Sequence, residues 1–229
     1  MEKSMITQEL YEQYLDLLLK GRRAECAGIV LKLLDQHVEL KSLYMDLFQR
    51  SLYAVGELWE LNKISVSREH LATAITESLL NLVYPRLLEN TQTGKKVVVS
   101  CAANELHQIG GKIVADFFEL NGWESHFLGA NTPIPEILGY IQETKPDLVG
   151  LSLSVYFNMP SLIKEIEAIR SNFKHIDIFL GGQAFRWGGL DLMKKYPATH
   201  YIESLSTLEV QIKNHKFPSE NKDFRMETN

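Results

Sequence analysis

From Val97 onward the chain alternates short apolar runs with amphipathic stretches, and this alternation limits the possible fold more than any other feature. Val97-Val98-Val99-Ser100-Cys101 reads as a strand, as do residues 125–128, 148–153, 176–180 and a short run at 200–202. Helical periods separate them, the first over about 109–120 and the last over about 204–214. Strands joined through helices run parallel, and a parallel sheet needs cover on both faces. The predicted fold is α/β: a doubly wound, Rossmann-like five-stranded parallel sheet with the flavodoxin-like order 2-1-3-4-5. In such sheets ligands bind in the crevice beyond the carboxyl ends of the strands, at the switch point of the strand order.

Residues 6–90 carry a different pattern, helical in period, with no strand-like alternation and no glycine cluster. Ile6, Leu10, Tyr14, Leu17 and Leu18 form one apolar stripe. Cys26, Ile29, Val30, Leu33 and Leu34 form another, after the break at Gly21-Arg22-Arg23. A third helix is predicted over 40–61 and a fourth over 67–88. Short connections between four such helices argue an antiparallel four-helix bundle. The domains are therefore expected as a helical bundle over 1–90, the sheet domain over 95–214 after the polar linker Asn90-Thr91-Gln92-Thr93-Gly94, and a disordered polar tail over 215–229.

The net charge of −5 gives no basic footprint for nucleic acid. Cys26 and Cys101 lie far apart without metal-ligand spacing, which suits a reducing compartment. Cys101 reads as a small core residue. No run reaches transmembrane length and the start shows no apolar signal region, so a cytoplasmic protein is expected, with no membrane contact.

The loop after the first strand, Glu105-Leu106-His107-Gln108-Ile109-Gly110, carries the chemistry. A histidine there can project a ring nitrogen into the crevice, and the acid two residues earlier can accept a hydrogen bond from the other nitrogen. That pairing fixes the tautomer and makes the imidazole a better metal donor. Gly110 leaves the helix start open to a bulky group. The plainer reading is a loop whose histidine caps a helix. Forty-one residues separate Gly110 from Ser152-Leu153-Ser154, and twenty-six more separate Ser154 from Gly181-Gly182, each cluster at the end of another strand.

With those three clusters in place, the chain resembles the cobalamin-binding domains of methionine synthase, corrinoid carrier proteins and cobalamin-dependent regulators. Their pattern is D-x-H-x-x-G, then S-x-L about forty residues later, then G-G. Here Glu105 stands for the usual Asp and Ser154 for the usual Leu. The resemblance implies cobalamin as cofactor and His107 as the lower ligand of cobalt, replacing the cofactor's own base. It also implies hydroxyls of Ser152 and Ser154 along the slot for the nucleotide tail, with Gly181-Gly182 as its far wall. Singly, those serines can satisfy a strand end and those glycines a tight turn.

In the helical half, nine residues separate Trp59 from the pair Glu69-His70. This spacing, with a Glu before His107 and the run Leu128-Gly129-Ala130-Asn131-Thr132-Pro133, is similar to the light-sensing cobalamin regulators of the CarH and LitR type. In them the tryptophan and the Glu-His pair enclose an adenosyl group above cobalt. A core tryptophan and a Glu-His pair complementing a helix dipole are the plainer alternatives. Those regulators capture cobalt after photolysis with a histidine just after the tryptophan, where this chain has Glu60. They also carry a DNA-binding helix-turn-helix ahead of the bundle, which is not found here.

The expectation is therefore a non-enzymatic cobalamin sensor. It would bind adenosylcobalamin or, less in keeping with the pattern, methylcobalamin, and act through a separate regulator or effector protein rather than on nucleic acid, with a homo-oligomer as one possible state. The alternative is a corrinoid methyl carrier serving a methyltransferase. A third is a degenerate α/β domain that binds a flavin or nothing.

Overall fold

The computed structural model describes residues 5–89 and 91–213. The chain divides between residues 90 and 91 into two compact units. The expected disordered tail over 215–229 lies outside the described residues, as does Asn214 at the end of the sheet domain.

In the first unit, α1 (Gln8–Leu19) and α2 (Arg23–Asp35) are followed by a long helix, α3, over 40–60, and then by α4 (Val66–Val83). The helices pack about a shared core. Tyr11, Tyr14 and Leu18 are the buried positions of α1, so the inward stripe runs through Tyr11 rather than Leu10 and Leu17. Within α3 the seven residues Leu43–Gln49 are π-helical, between the α-helical pieces Leu40–Ser42 and Arg50–Glu60. The predicted fourth helix is shortened: α4 ends at Val83 and Tyr84–Glu89 is a 3-10 turn. Pro85 explains the change, because its ring crowds the preceding turn and it has no N–H to donate.

The second unit is a five-stranded sheet in the order β2-β1-β3-β4-β5. Its strands are β1 (Lys96–Cys101), β2 (Glu124–Phe127), β3 (Leu148–Ser152), β4 (Asp177–Gly181) and β5 (Thr199–Tyr201), all paired in parallel. The helices α5 (Ile109–Leu120), α6 (Ile134–Thr144), α7 (Met159–Asn172), the short α8 (Leu192–Lys195) and α9 (Leu205–Lys213) connect or follow them. Strand bounds differ from the sequence reading by about one residue, as termini do.

Every residue of β3 is buried, as expected for a central strand covered on both faces. Val149, Leu151, Ile178 and Leu180 pack with Ile137, Leu162, Ile166 and Ile169 of the helices in one core. Gly150 has no side chain for a packing reason: a Cβ there would stand 2.2 Å from the Phe179 ring. Among the described residues no helix is long and apolar enough to cross a membrane.

Candidate functional site

Parallel pairing sets the site's frame. The last residues of three neighbouring strands share one register row, with Cys101 opposite Ser152 and Ser152 opposite Gly181. The loops leaving β1, β3 and β4 therefore start side by side at the carboxyl edge, beside the switch in strand order between β1 and β3, which is where sheets of this kind bind ligands.

The β1–α5 loop carries Glu105 and His107. Glu105 is fully buried, while the His107 side chain is 50% exposed. His107 Nδ1 lies 2.5 Å from Glu105 Oε1, which also accepts the His107 backbone N–H at 2.9 Å. An ionised carboxylate can only accept, so this contact fixes the imidazole proton on Nδ1 and makes Nε2 the basic nitrogen. The second oxygen, Oε2, accepts the backbone N–H groups of Ser154 at 3.1 Å and Val155 at 2.9 Å. Burial pushes the Glu105 carboxyl up, but hydrogen bonds from the His107 ring, the His107 backbone and Val155 outweigh it and bring it to about 2. Glu105 thus stays ionised and ties the histidine loop to the β3–α7 loop.

Ser152 is buried at the end of β3, and a Cβ on Gly110 would come no closer than 3.9 Å to its Oγ. A side chain at Gly110 would thus meet only an ordinary contact there. Ser154 is half-buried and held through its backbone by Glu105. The two glycines after β4 differ. Gly182 has φ +111°, and a Cβ there would stand 2.2 Å from the Leu153 carbonyl oxygen, so the backbone itself demands glycine. Gly181 has no such strain; its nearest neighbour would be the Ile202 carbonyl oxygen at 3.5 Å. Cys101 is in the core, its Sγ 3.7 Å from the His107 carbonyl oxygen. Burial, and then the charges of Glu105 and Glu165, push its thiol up to about 12.

In the helical unit, α3 ends two residues before Asn62, which adopts φ +54° and donates its N–H to the Trp59 carbonyl. The left-handed residue stops the helix and leaves Trp59 on its last turn. Trp59 is 45% exposed and belongs to no core. Leu61, Val66 and Leu71 nearby in sequence are also exposed. Glu69, in the first turn of α4, accepts from Thr73 Oγ1 at 2.9 Å and lies 3.5 Å from Nε2 of the exposed His70. Glu69 and His70 form a pair at the surface of this unit, and Trp59 is not the buried core residue of the plainer alternative.

Several residues in the sheet domain's site escape the sequence pattern. Asn104 adopts φ +67°; its N–H donates to Asn131 Oδ1 at 3.1 Å, its side chain donates to Ser161 at 2.9 Å, and its carbonyl accepts from Asn158 at 3.2 Å. Fully buried Glu165 of α7 accepts the Ala103 N–H at 3.2 Å. Loops at the same edge also expose large apolar side chains, among them Leu106, Tyr156, Phe157 at 88% and Trp187 at 72%. The signal for the last two lay in aromatic residues just past Ser154 and Gly182, where a loop needs none.

The residues present suit a cofactor that brings its own metal cage. Among the described residues no three His, Cys, Asp or Glu side chains gather to hold a metal ion. The site instead offers a single acid-oriented imidazole beside the start of α5, a donor set of one nitrogen that would suit such a group.

Known proteins point the same way. Residues 95–209 match the family model described as B12 binding domain, and residues 10–84 match a second model of that description. A stretch of 90 residues is 31% identical to the HTH-type transcriptional repressor CarA of Myxococcus xanthus, covering 39% of this chain and 31% of the repressor. Over 138 residues the chain is 29% identical to dimethylamine corrinoid protein 1 of Methanosarcina acetivorans, covering 56% of this chain and 62% of that protein. The chain thus spans less than two thirds of the length of either relative. In fold it is similar to the monomethylamine corrinoid protein of Methanosarcina barkeri, with a TM-score of 0.78 at 15% identity over 90% of this chain and 99% of the other. With its sheet order, its acid-held histidine loop and a family model spanning residues 95–209, this chain belongs to the B12 binding domain family and binds cobalamin.

Proposed function

We propose that the chain is a corrinoid carrier, holding cobalamin so that its cobalt can be alkylated and dealkylated by a separate methyltransferase. The observation that carries this reading is the half-exposed His107 imidazole, proton fixed on Nδ1 by buried Glu105, at the open carboxyl edge of the sheet. His107 Nε2 would be the lower ligand of cobalt. Ser152 and Ser154 would offer polar contacts to the nucleotide tail, with Gly181 and Gly182 at the next strand end. Cobalamin, when bound, supplies a cobalt centre able to take up and release an alkyl group. The protein's own part is to donate one nitrogen, keep its tautomer, and hold the β1 and β3 loops in register through Glu105. The carrier is preferred to the sensor expected from the sequence because the corrinoid relatives match 56% of the chain and the repressor 39%.

A second reading rests on the exposed Trp59 and the Glu69–His70 pair. In it these residues enclose the adenosyl group of adenosylcobalamin, and loss of that group on illumination alters contacts with a separate regulator. A ligand shifts such an equilibrium only through contacts that differ between the two states, and a large indole against the upper ligand would supply one.

One experiment separates the two. Full-length protein is loaded with hydroxocobalamin, reduced with titanium(III) citrate and given methyl iodide, and in parallel loaded with adenosylcobalamin and exposed to green light. The carrier reading expects protein-bound methylated cobalt in the first arm and an unchanged elution volume in the second. A changed elution volume after complete photolysis would replace the carrier with the sensor. Protein that elutes colourless from both mixtures would remove both.

A further inference from the structure

α7 buries Met159, Leu162, Ile166 and Ile169 in the sheet domain's core, and among these apolar side chains stands one carboxyl, Glu165. It is fully buried; Oε2 accepts the Ala103 N–H at 3.2 Å and Oε1 has no partner among the described residues. A carboxyl buried with one modest hydrogen bond is costly, and for folding alone a leucine at this position would be cheaper. The cost falls where the proposed cobalt ligand is positioned. Ala103 opens the loop that carries His107, Asn104 follows in a left-handed conformation held by Asn131, Asn158 and Ser161, and Glu105 pins the loop's far side. The Cys101 thiol at the foot of the loop feels the charges of both Glu105 and Glu165.

We propose that Glu165 is a positioning residue for the His107 imidazole, anchoring the start of its loop through Ala103 N–H as Glu105 anchors its end. The inference rests on the reading of His107 as the lower cobalt ligand and adds the outer partner that fixes where that ligand stands. Side chains that orient a metal ligand from outside change metal binding on the order of tenfold or more when removed.

The test uses full-length protein with its histidines labelled with nitrogen-15, loaded with cobalamin and reduced to the cob(II) state, read by electron paramagnetic resonance. A labelled protein imidazole splits the cobalt signal into doublets; the cofactor's own base gives triplets. Wild type is expected to show doublets. Glu165→Leu is expected to lower the ratio of imidazole-ligated to unligated cobalt on the order of tenfold, with the melting temperature of the cobalamin-free protein maintained. Glu165→Gln, which keeps an acceptor oxygen, is expected to restore the doublet. Glu165→Met serves the same purpose as Leu should the Leu variant not fold. Undiminished doublets in folded Leu or Met variants would overturn the positioning role. Triplets, or no nitrogen splitting, in wild type would overturn His107 as the ligand, a different failure from the first.

Discussion

The carboxylate of Glu105 holds Nδ1 of His107 at 2.5 Å with one oxygen and the N–H groups of Ser154 and Val155 with the other. One buried side chain thus joins the loop that presents an imidazole to the loop that leaves the neighbouring central strand. Replacing Glu105 with alanine takes the acceptor from three backbone donors, the N–H groups of His107, Ser154 and Val155, and from the His107 ring. These donors are only partly buried and water can reach some of them, so the loss stays near about 2–4 kcal/mol in total. Urea unfolding of the cobalamin-free variant should show a loss of that size, and cobalamin binding followed by absorbance should weaken beyond what the stability loss explains.

The glycines after β4 should respond differently. Gly182→Ala places a Cβ against the Leu153 backbone at a left-handed φ, so a loss of at least about 3 kcal/mol, or insoluble protein, is expected. Gly181→Ala meets only an ordinary contact, and its stability should change by less than about 1 kcal/mol. A large fall in cobalamin affinity in folded Gly181→Ala, measured by titration, would place the nucleotide tail at this position; unchanged affinity would place it elsewhere.

Glu165 makes stability depend on pH. Burial raises its carboxyl to about 7, against an ordinary 4.5. The folded state then holds a proton that the unfolded chain has released, so between those two values stability falls as pH rises, and it levels off above the upper one. The full span corresponds to about 3 kcal/mol. Denaturant unfolding over the upper part of this window should show the slope in wild type and lose it in Glu165→Gln, while Glu105, ionised there in both the folded and the unfolded chain, adds none.

Both thiols should be inert in the folded protein. Burial first raises Cys26 to about 11 and Cys101 to about 12, and neither side chain is exposed. Dithionitrobenzoate should therefore release colour only after denaturant is added. Rapid labelling of the native protein would show that the sheet domain or the bundle opens locally.

Phe157 and Trp187 project from the carboxyl edge of the sheet with little to pack on. Their replacement by alanine should change stability by no more than about 0.5 kcal/mol. Any loss of cobalamin affinity, measured by equilibrium titration, then reports contact with the ligand rather than damage to the fold.

By itself the sequence determined the alternation of strand and helix, the order of the sheet and the three clusters at its carboxyl edge, because strand period and parallel connection are local properties. It also marked Glu105 and His107 as a pair, since two residues in one loop cannot stray far apart. It misplaced the end of the fourth helix only where Pro85 acts, and it put Leu10 rather than Tyr11 on the inward stripe because periodicity alone cannot tell neighbouring positions apart. Tertiary structure alone decided that Glu105 also holds Ser154 and Val155, about fifty residues away, that Gly182 is forced by the Leu153 backbone, and that Glu165 reaches Ala103 across the core. Those contacts depend on register between parallel strands and on how a helix lies across them. No spacing along the chain encodes either quantity.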